Sequence, residues 1–386
     1  MRIGRIVVTM IIMLSCFTFC TAQGISDTEI LIGSSAALGG HASFLGTQTI
    51  HGALSYINFI NEEGGVYGRK IRIISYDDQY DPSKTILNTN KLIDTDNVFC
   101  LFCYVGTPTS VKVIPIVKNK KIPLVGLFTG AEALRSPVSR YILNIRSSYY
   151  NETGELVKHL VEDLGIREIG VFYQYDAFGM AGLKGVEIGL AEYNLKPAST
   201  GAYNRGTLEV NEGLQKIRQA DPGAVIMIGV YGPCGQFIRE AKRSGYNPVF
   251  CNISFVGSEM LAELLGDEGE GVIISQVVPS PMESSFSTVT QYQELLAKSY
   301  PDDTPNFVSF EGFINAKVLV EGLREAGKDL NREKLIDAME AMKNVDVGIG
   351  ANINYGPQDH QGLDKVYFTK IYNGEVVLFT DWKSMN

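Results

Sequence analysis

Hydrophobic and polar positions follow one recurring order along the chain. A short apolar run gives way to a Gly/Ser/Thr loop, and then to a stretch with apolar residues every three or four positions. Short apolar runs bounded by turn residues predict buried strands, and the three-to-four spacing predicts helices packed on them. The first strand is Ile30 to Gly33. The helix after it carries Ile50, Ala53, Leu54, Ile57 and Ile60 on one face, and Asn61-Glu62-Glu63-Gly64-Gly65 stops it. A second strand runs from Lys70 to Tyr76. Asp81-Pro82 then opens a helix, with Pro82 at its first position. Val98 to Tyr104 and Pro123 to Leu127 are further strands, with Val113, Ile114 and Val117 marking the helix between them.

The same order restarts after Arg146-Ser147-Ser148-Tyr149-Tyr150. Helix is expected over Glu152 to Leu164, after Gly179 to about Tyr193, over Leu208 to Ala220 and over Pro233 to Ser244. Strand is expected over Glu168 to Tyr173, Pro197 to Tyr203, Ala224 to Gly229, Val249 to Ile253 and Gly271 to Val278. Pro279 to Asp303 is richer in Pro, Ser and Thr and reads as a crossing between two bodies. Long helices follow at Asn306 to Ala326 and Asn331 to Met342. Short strands close the chain, and Asn373-Gly374 between apolar runs marks a hairpin. Two βα series of similar build define an α/β chain with two doubly wound, Rossmann-like lobes. A length of 386 residues fits two domains.

Two successive loops draw attention. Phe102-Cys103-Tyr104-Val105-Gly106-Thr107-Pro108-Thr109-Ser110 and Leu127-Phe128-Thr129-Gly130 each follow a strand and precede a helix start. Such loops lie at the carboxyl ends of parallel strands, where open α/β sheets bind ligands. Gly106 and Gly130 permit close backbone approach. Thr107, Thr109, Ser110 and Thr129 supply hydroxyls, and free N–H groups at the helix starts suit a carboxylate. Neither loop carries a lysine or a nucleophile motif.

Composition narrows the class. The chain is 45% hydrophobic with a net charge of -9, and its one basic run is Lys118 to Lys121. A surface that tracks phosphates along nucleic acid is excluded. At the N-terminus, Arg2 and Arg5 precede an apolar run from Ile6 to Phe19 and then Cys20-Thr21-Ala22. This order predicts a secretory signal peptide over residues 1–22, cut after Ala22, and hence an exported chain. The alternative is lipid attachment at Cys16 or Cys20. No later segment reaches membrane-spanning length. Cys100 and Cys103 form a C-x-x-C inside an apolar run, where both are expected in the core rather than in a redox site. Whether Cys234 and Cys251 pair is left open.

Catalytic signatures are missing. No H-E-x-x-H, G-x-S-x-G, Walker A or G-x-G-x-x-G stretch occurs. The histidines His41, His51, His159 and His360 are scattered, and Asp359-His360 stands in a loop without nearby partners. Asp77, Asp78 and Asp81 lack the later Gly and Glu of a calcium loop, so strand-end and N-cap roles are expected. The chain is therefore expected to be a binding protein rather than an enzyme, with no cofactor and no metal.

Several stretches taken together closely resemble the type I periplasmic binding proteins, in particular the leucine/isoleucine/valine-binding receptors of ABC transporters. They are Gly33-Ser34-Ser35-Ala36-Ala37-Leu38-Gly39-Gly40, Ile60 to Lys70, Tyr76-Asp77-Asp78 with Asp81-Pro82, the Gly-Thr-Pro-Thr-Ser loop, and Tyr175-Asp176-Ala177-Phe178-Gly179. The resemblance implies two lobes joined by three crossover strands, near Arg146, Val278 and Gly350. Lobe one would comprise 23–146 and 279–349, and lobe two 147–278 and 350–386. Ligand would sit in the cleft between them, hinge closure would trap it, and the closed form would dock on a membrane permease. A sensory module reporting to a signalling partner is the alternative, and a secreted hydrolase, which needs a nucleophile and base not found in the sequence, stands behind it.

The resemblance also places ligand positions. The carboxylate loop falls on Gly106 and Thr107, and the second loop on Phe128, Thr129 and Gly130. The aromatic wall of lobe two falls on Phe178, and the tyrosine after its fourth strand on Tyr231. Leu45 lies where the first loop reaches the cleft, and Tyr150 just past the first crossover. Two departures stand out. The acid that would face a ligand ammonium falls near Ser254, with Asp176 or Glu259 as substitutes if the loops are shifted. Tyr80 stands where the family has the first cysteine of a disulfide. A small carboxylate or amide without a free α-ammonium is the expected ligand.

Overall fold

In the computed structural model, residues 24–385 are described. The expected signal peptide, its cleavage point, and Cys16 and Cys20 lie outside them. Among the described residues, no helix is long and apolar enough to cross a membrane.

The first series builds a five-stranded sheet from β1 (Glu29–Ala36), β2 (Lys70–Asp77), β3 (Cys100–Phe102), β4 (Leu124–Val125) and β5 (Ile142–Leu143). Its order is β2-β1-β3-β4-β5 and every pairing is parallel. Helices α1 (Ser43–Glu62), α2 (Pro82–Asp94) and α3 (Thr107–Lys120) connect the strands. Asp81 caps α2 by accepting from the Ser83 N–H at 2.8 Å. Asp77 accepts from the N–H groups of Leu38 and Gly39, and Asp78 from the hydroxyls of Ser35 and Thr85. The strand-end and N-cap roles expected for these acids are the ones they occupy.

The second series starts at α4 (Tyr149–Glu162), whose N-terminus is a capping box between Ser148 and Asn151. It continues through β6 (Ile169–Gln174), α5 (Ala177–Glu192), β7 (Ser199–Tyr203), α6 (Asn211–Ala220), β8 (Ala224–Ile228), α7 (Tyr231–Arg243), β9 (Val249–Asn252), α8 (Ser258–Leu265) and β10 (Ile273–Gln276). All five residues of β8 are buried, as a central strand covered by helices on both faces requires.

Then come α9 (Ser287–Ser299), α10 (Phe307–Glu325), α11 (Arg332–Glu340), β11 (Val345–Asp346), β12 (Asn352–Ile353), β13 (Tyr367–Tyr372) and β14 (Glu375–Leu378). The second sheet has the order β14-β13-β10-β9-β8-β6-β7, with only β13 and β14 antiparallel to their neighbours. Asn373 and Gly374, both at positive φ, make the expected two-residue hairpin turn.

Two helices were not expected. Pro279 to Asp303 is not all connection, because α9 occupies half of it and buries Val289, Tyr292 and Leu296 at helical spacing. The Ser- and Thr-rich run from Ser284 to Thr290 at its start hid that stripe. Short α8 lies in a stretch with no assignment from the sequence.

Helices α9 and α10 pack on α1, so the chain leaves the second sheet after β10 and returns at β13. With the step from β5 to α4, this makes three crossings between two lobes. The first and third run side by side: the Asn144 N–H donates to the His360 carbonyl at 2.8 Å, and the Leu363 N–H to the Ile145 carbonyl at 2.8 Å. His360 is not the partnerless loop residue expected. It is buried, with Nδ1 2.8 Å from the Ile142 carbonyl and Nε2 3.1 Å from Glu340. Helices α1 and α10 touch through glycine: a Cβ on Gly52 would lie 1.7 Å from the Ser309 carbonyl oxygen.

All four cysteines among the described residues are buried and free, so Cys234 and Cys251 do not pair. Cys100 and Cys103 lie in the lobe-one core.

Candidate functional site

Both parallel sheets share one strand order, and in each the order reverses beside its first strand. The loops after β1, β3 and β4 therefore open toward those after β6, β8 and β9. This is the crevice where doubly wound sheets take ligands.

From lobe one come the two hydroxyl-rich loops. Gly106 caps α3 at φ 92°, and a Cβ there would meet the Tyr80 ring at 2.0 Å. The next residue, Thr107, puts its hydroxyl 2.7 Å from that of Thr129. The Gly106 N–H donates to the Phe128 carbonyl at 3.1 Å, which ties the two loops together. Thr129 lies 3.3 Å from the Tyr149 hydroxyl, and the Tyr149 N–H donates to Gly130 at 2.7 Å.

From lobe two comes Phe255, in a single 3₁₀ turn after β9. Its ring centroid lies 4.6 Å from Phe178 in its own lobe, and 5.6 Å from Phe128 and 6.0 Å from Tyr80 in the other. Phe178 in turn lies 5.4 Å from Tyr149. These five rings are buried and contiguous across the lobes. Offset and tilted pairs of this kind add stability beyond the area they bury.

Leu45 and Tyr231 form a second contact. Both reach the backbone at Gly257, and Tyr231 meets Phe44 edge-on at 6.3 Å. The turn at residues 254–256 leads directly into Gly257, so the two contacts share one loop.

Tyr150 is not brought to either place. One residue along a helix turns a side chain by about 100°. Tyr150 accordingly lies over Gly185 of α5 with its hydroxyl pKa raised by burial and by Glu132, while Tyr149 enters the cleft. The structure thus gathers Gly106, Thr107, Phe128, Thr129, Gly130 and Phe178 into one cluster and sets Leu45 and Tyr231 beside it. Tyr80, Tyr149 and Phe255 were missed. Phe255 had a usable signal, because it follows a predicted strand end.

Charge sits directly behind the rings. Arg146, at the first crossing, is completely buried. Its Nη2 donates to Glu152 at 2.8 Å and also bonds the Ser254 hydroxyl, and its Nη1 lies 3.4 Å from Glu311 of α10. The guanidinium carbon is 5.3 Å from the Phe128 ring and 5.7 Å from the Tyr149 ring. Glu152 also accepts from the Ser254 N–H at 2.8 Å and the Ser275 hydroxyl at 2.6 Å. Burial pushes the Glu311 carboxyl up to about 7; Arg146 opposes that rise and Glu152 adds to it. Arg135, also buried, donates to the Thr129 and Arg146 carbonyls and braces the second loop from behind.

The two substitute acids are engaged elsewhere. Asp176 caps α5, accepting from Phe178 N–H at 2.9 Å and from Gln174 at 2.7 Å. Glu259 of α8 accepts from the Phe307 N–H at the start of α10, at 2.9 Å. Burial lifts the Glu259 carboxyl to about 7.

Two lobes joined by three crossings, with loops of both meeting in one buried ring cluster, define the α/β class of this protein. Comparison with known proteins is specific: the family model described as periplasmic binding protein matches residues 29–375. The chain belongs to that family, within its type I, leucine/isoleucine/valine-binding branch. A crystal structure of a possible leucine/isoleucine/valine-binding protein from Rhodopirellula baltica SH 1 is 33% identical, with a TM-score of 0.88 over 94% of this chain and 98% of that one. A substrate-binding periplasmic protein from Ralstonia solanacearum is 28% identical, with a TM-score of 0.85 over 91% of this chain and 100% of that one. Among curated relatives, the leucine-, isoleucine-, valine-, threonine-, and alanine-binding protein of Pseudomonas aeruginosa is 22% identical, over 84% of this chain and 85% of that protein.

Proposed function

We propose that this chain is an exported solute receptor of an ABC transporter. It captures a small amino-acid-like, carboxylate or amide solute between its lobes by hinge closure and presents it to a membrane permease. The observation that carries this reading is the ring cluster shared between lobes, with Phe255 of one lobe against Phe128 and Tyr80 of the other. Such a cluster can grip an apolar body only when the lobes meet, so binding and closure become one event. The Thr107 and Thr129 loop pair then holds the polar end of the solute. Family membership and the names of the relatives support the same role, in which the protein binds its solute without converting it.

The test is calorimetric titration with small carboxylates, amides and amino acids, with scattering measured in parallel. A saturating ligand should reduce the radius of gyration. Thr107→Ala should weaken binding about tenfold, the cost of one hydrogen bond to a charged group. Full affinity in a folded Thr107→Ala variant, with no compaction on binding, would defeat the proposal.

A further inference from the structure

The polar groups behind the ring cluster are unequally matched. An ammonium group entering a buried cleft needs a carboxylate, because an unpaired charge there is costly. Four carboxylates near the cluster are already committed, and Glu259 of α8, which keeps Oε2 without a partner, lies at the start of α10 rather than against the rings. Glu152 accepts from Arg146, from both groups of Ser254 and from Ser275. Asp176 holds the start of α5. Asp78 takes the hydroxyls of Ser35 and Thr85 and the Tyr80 N–H. Glu311 faces Arg146 itself.

A donor, by contrast, is left over. Arg146 Nε is buried and has no acceptor in the protein, although the rest of the guanidinium is bonded. A buried donor left without a partner costs free energy that an incoming acceptor recovers. The same guanidinium lies within 6 Å of the Phe128 and Tyr149 rings.

We propose that Arg146 sets the charge class of the solute. It occupies the carboxylate of Glu152 at Ser254, repels an ammonium, and offers its Nε–H to an acceptor oxygen. The site then takes a carboxylate or amide with a flat or branched apolar body and no free α-ammonium. Arg146 acts here as a specificity-determining residue. The inference rests on the cleft-receptor reading above, and deepens it.

The experiment pairs each amino acid with its des-amino counterpart: L-leucine with 4-methylpentanoate, and L-phenylalanine with 3-phenylpropanoate, by calorimetry on the mature protein at neutral pH. Within at least one pair the des-amino acid should bind ten times more tightly or better. Arg146→Lys, which keeps the charge beside Glu152 but loses Nε, should erase most of that preference. Arg146→Met combined with Glu311→Gln leaves Glu152 without a cation beside it and should turn the preference toward the amino acid. Far-ultraviolet dichroism checks that each variant is folded, and the wild-type comparison stands even if neither variant is.

If an amino acid binds wild type and in neither pair its des-amino counterpart binds ten times more tightly, the assignment is overturned and Glu311 becomes the acid that receives the ammonium. If Phe255→Ala weakens that binding, the cleft-receptor reading survives and only the Arg146 inference fails. If Phe255→Ala changes nothing, or none of the four compounds binds at millimolar concentration, both fall together.

Discussion

Phe255 is the side chain on which the two lobes converge, touching rings from both. Phe255→Ala should cost about 3–5 kcal/mol in urea unfolding, the range for emptying a large buried aromatic. It should also weaken solute binding. A variant within about 1 kcal/mol of wild type would show that the cluster collapses to fill the gap. That Thr107, Thr129 and Phe178 come together was legible from loop composition and family resemblance, because a hydroxyl or an aromatic after a strand end is placed locally. Tyr149 was displaced by one residue, since nothing in Ser148-Tyr149-Tyr150 says which ring faces inward until the capping box sets the start of α4. The Arg146 cluster was beyond reach for a different reason. Its partners lie 6, 108 and 165 residues away, and no local pattern links such separations.

At the scale of elements, glycines in two helices predict opposite outcomes. Gly52 of α1 and Gly312 of α10 meet the other helix's backbone, and a Cβ on Gly312 would lie 2.1 Å from the Thr49 carbonyl oxygen. Gly52→Ala must drive these helices apart and should cost about 1–3 kcal/mol, as overpacking does. Gly154 of α4 has nothing within 4 Å of a built Cβ. Gly154→Ala should therefore stabilise by up to about 1 kcal/mol, the propensity difference alone. Urea titration of both variants checks the pair, and equal effects would contradict the packing. Strands and long helices were legible because their periodicity is strong. Boundaries moved where no side-chain cap marks the helix start: α7 starts at Tyr231 rather than Pro233, and α6 at Asn211 rather than Leu208. Helix α9 was lost because the run into its first turn, Ser284 to Thr290, is five parts in seven Ser and Thr, which sequence pattern assigns to loops.

For the whole molecule, two acids tie one lobe to the other. Glu259 of lobe two holds the start of α10, and Glu311 of α10 faces Arg146, with Glu152 and Arg135 close by. Burial is the first cause of the rise in both carboxyls, which reach about 7. In the unfolded chain they titrate near the ordinary glutamate value of about 4.3. Between that value and about 7 the folded state binds more protons, so stability falls as pH rises and levels off above the upper limit. Each carboxyl contributes a slope of up to about 1.4 kcal/mol per pH unit in that window. Tyr292 also lies near Glu259, and it stays neutral throughout. Glu259→Gln should remove one such slope and raise stability at pH 8 relative to wild type. Urea midpoints at pH 5, 6, 7 and 8 measure this. An unchanged slope would place Glu259 in water.

The buried thiols turn the molecule into its own opening gauge. Cys100 and Cys103 belong to the first sheet's lobe, and Cys234 and Cys251 to the other. Burial pushes all four well above the ordinary thiol range, so almost none is present as the reactive thiolate at neutral pH. An alkylating reagent can therefore mark each pair only when its own lobe unravels, and hinge rotation between intact lobes should leave all four unmarked. Mass spectrometry of peptides after timed alkylation would then assign an unfolding rate to each lobe separately. Adding solute should slow both rates if closure couples the lobes. Rapid labelling of the native protein, at the pace of a free peptide thiol, would contradict the burial.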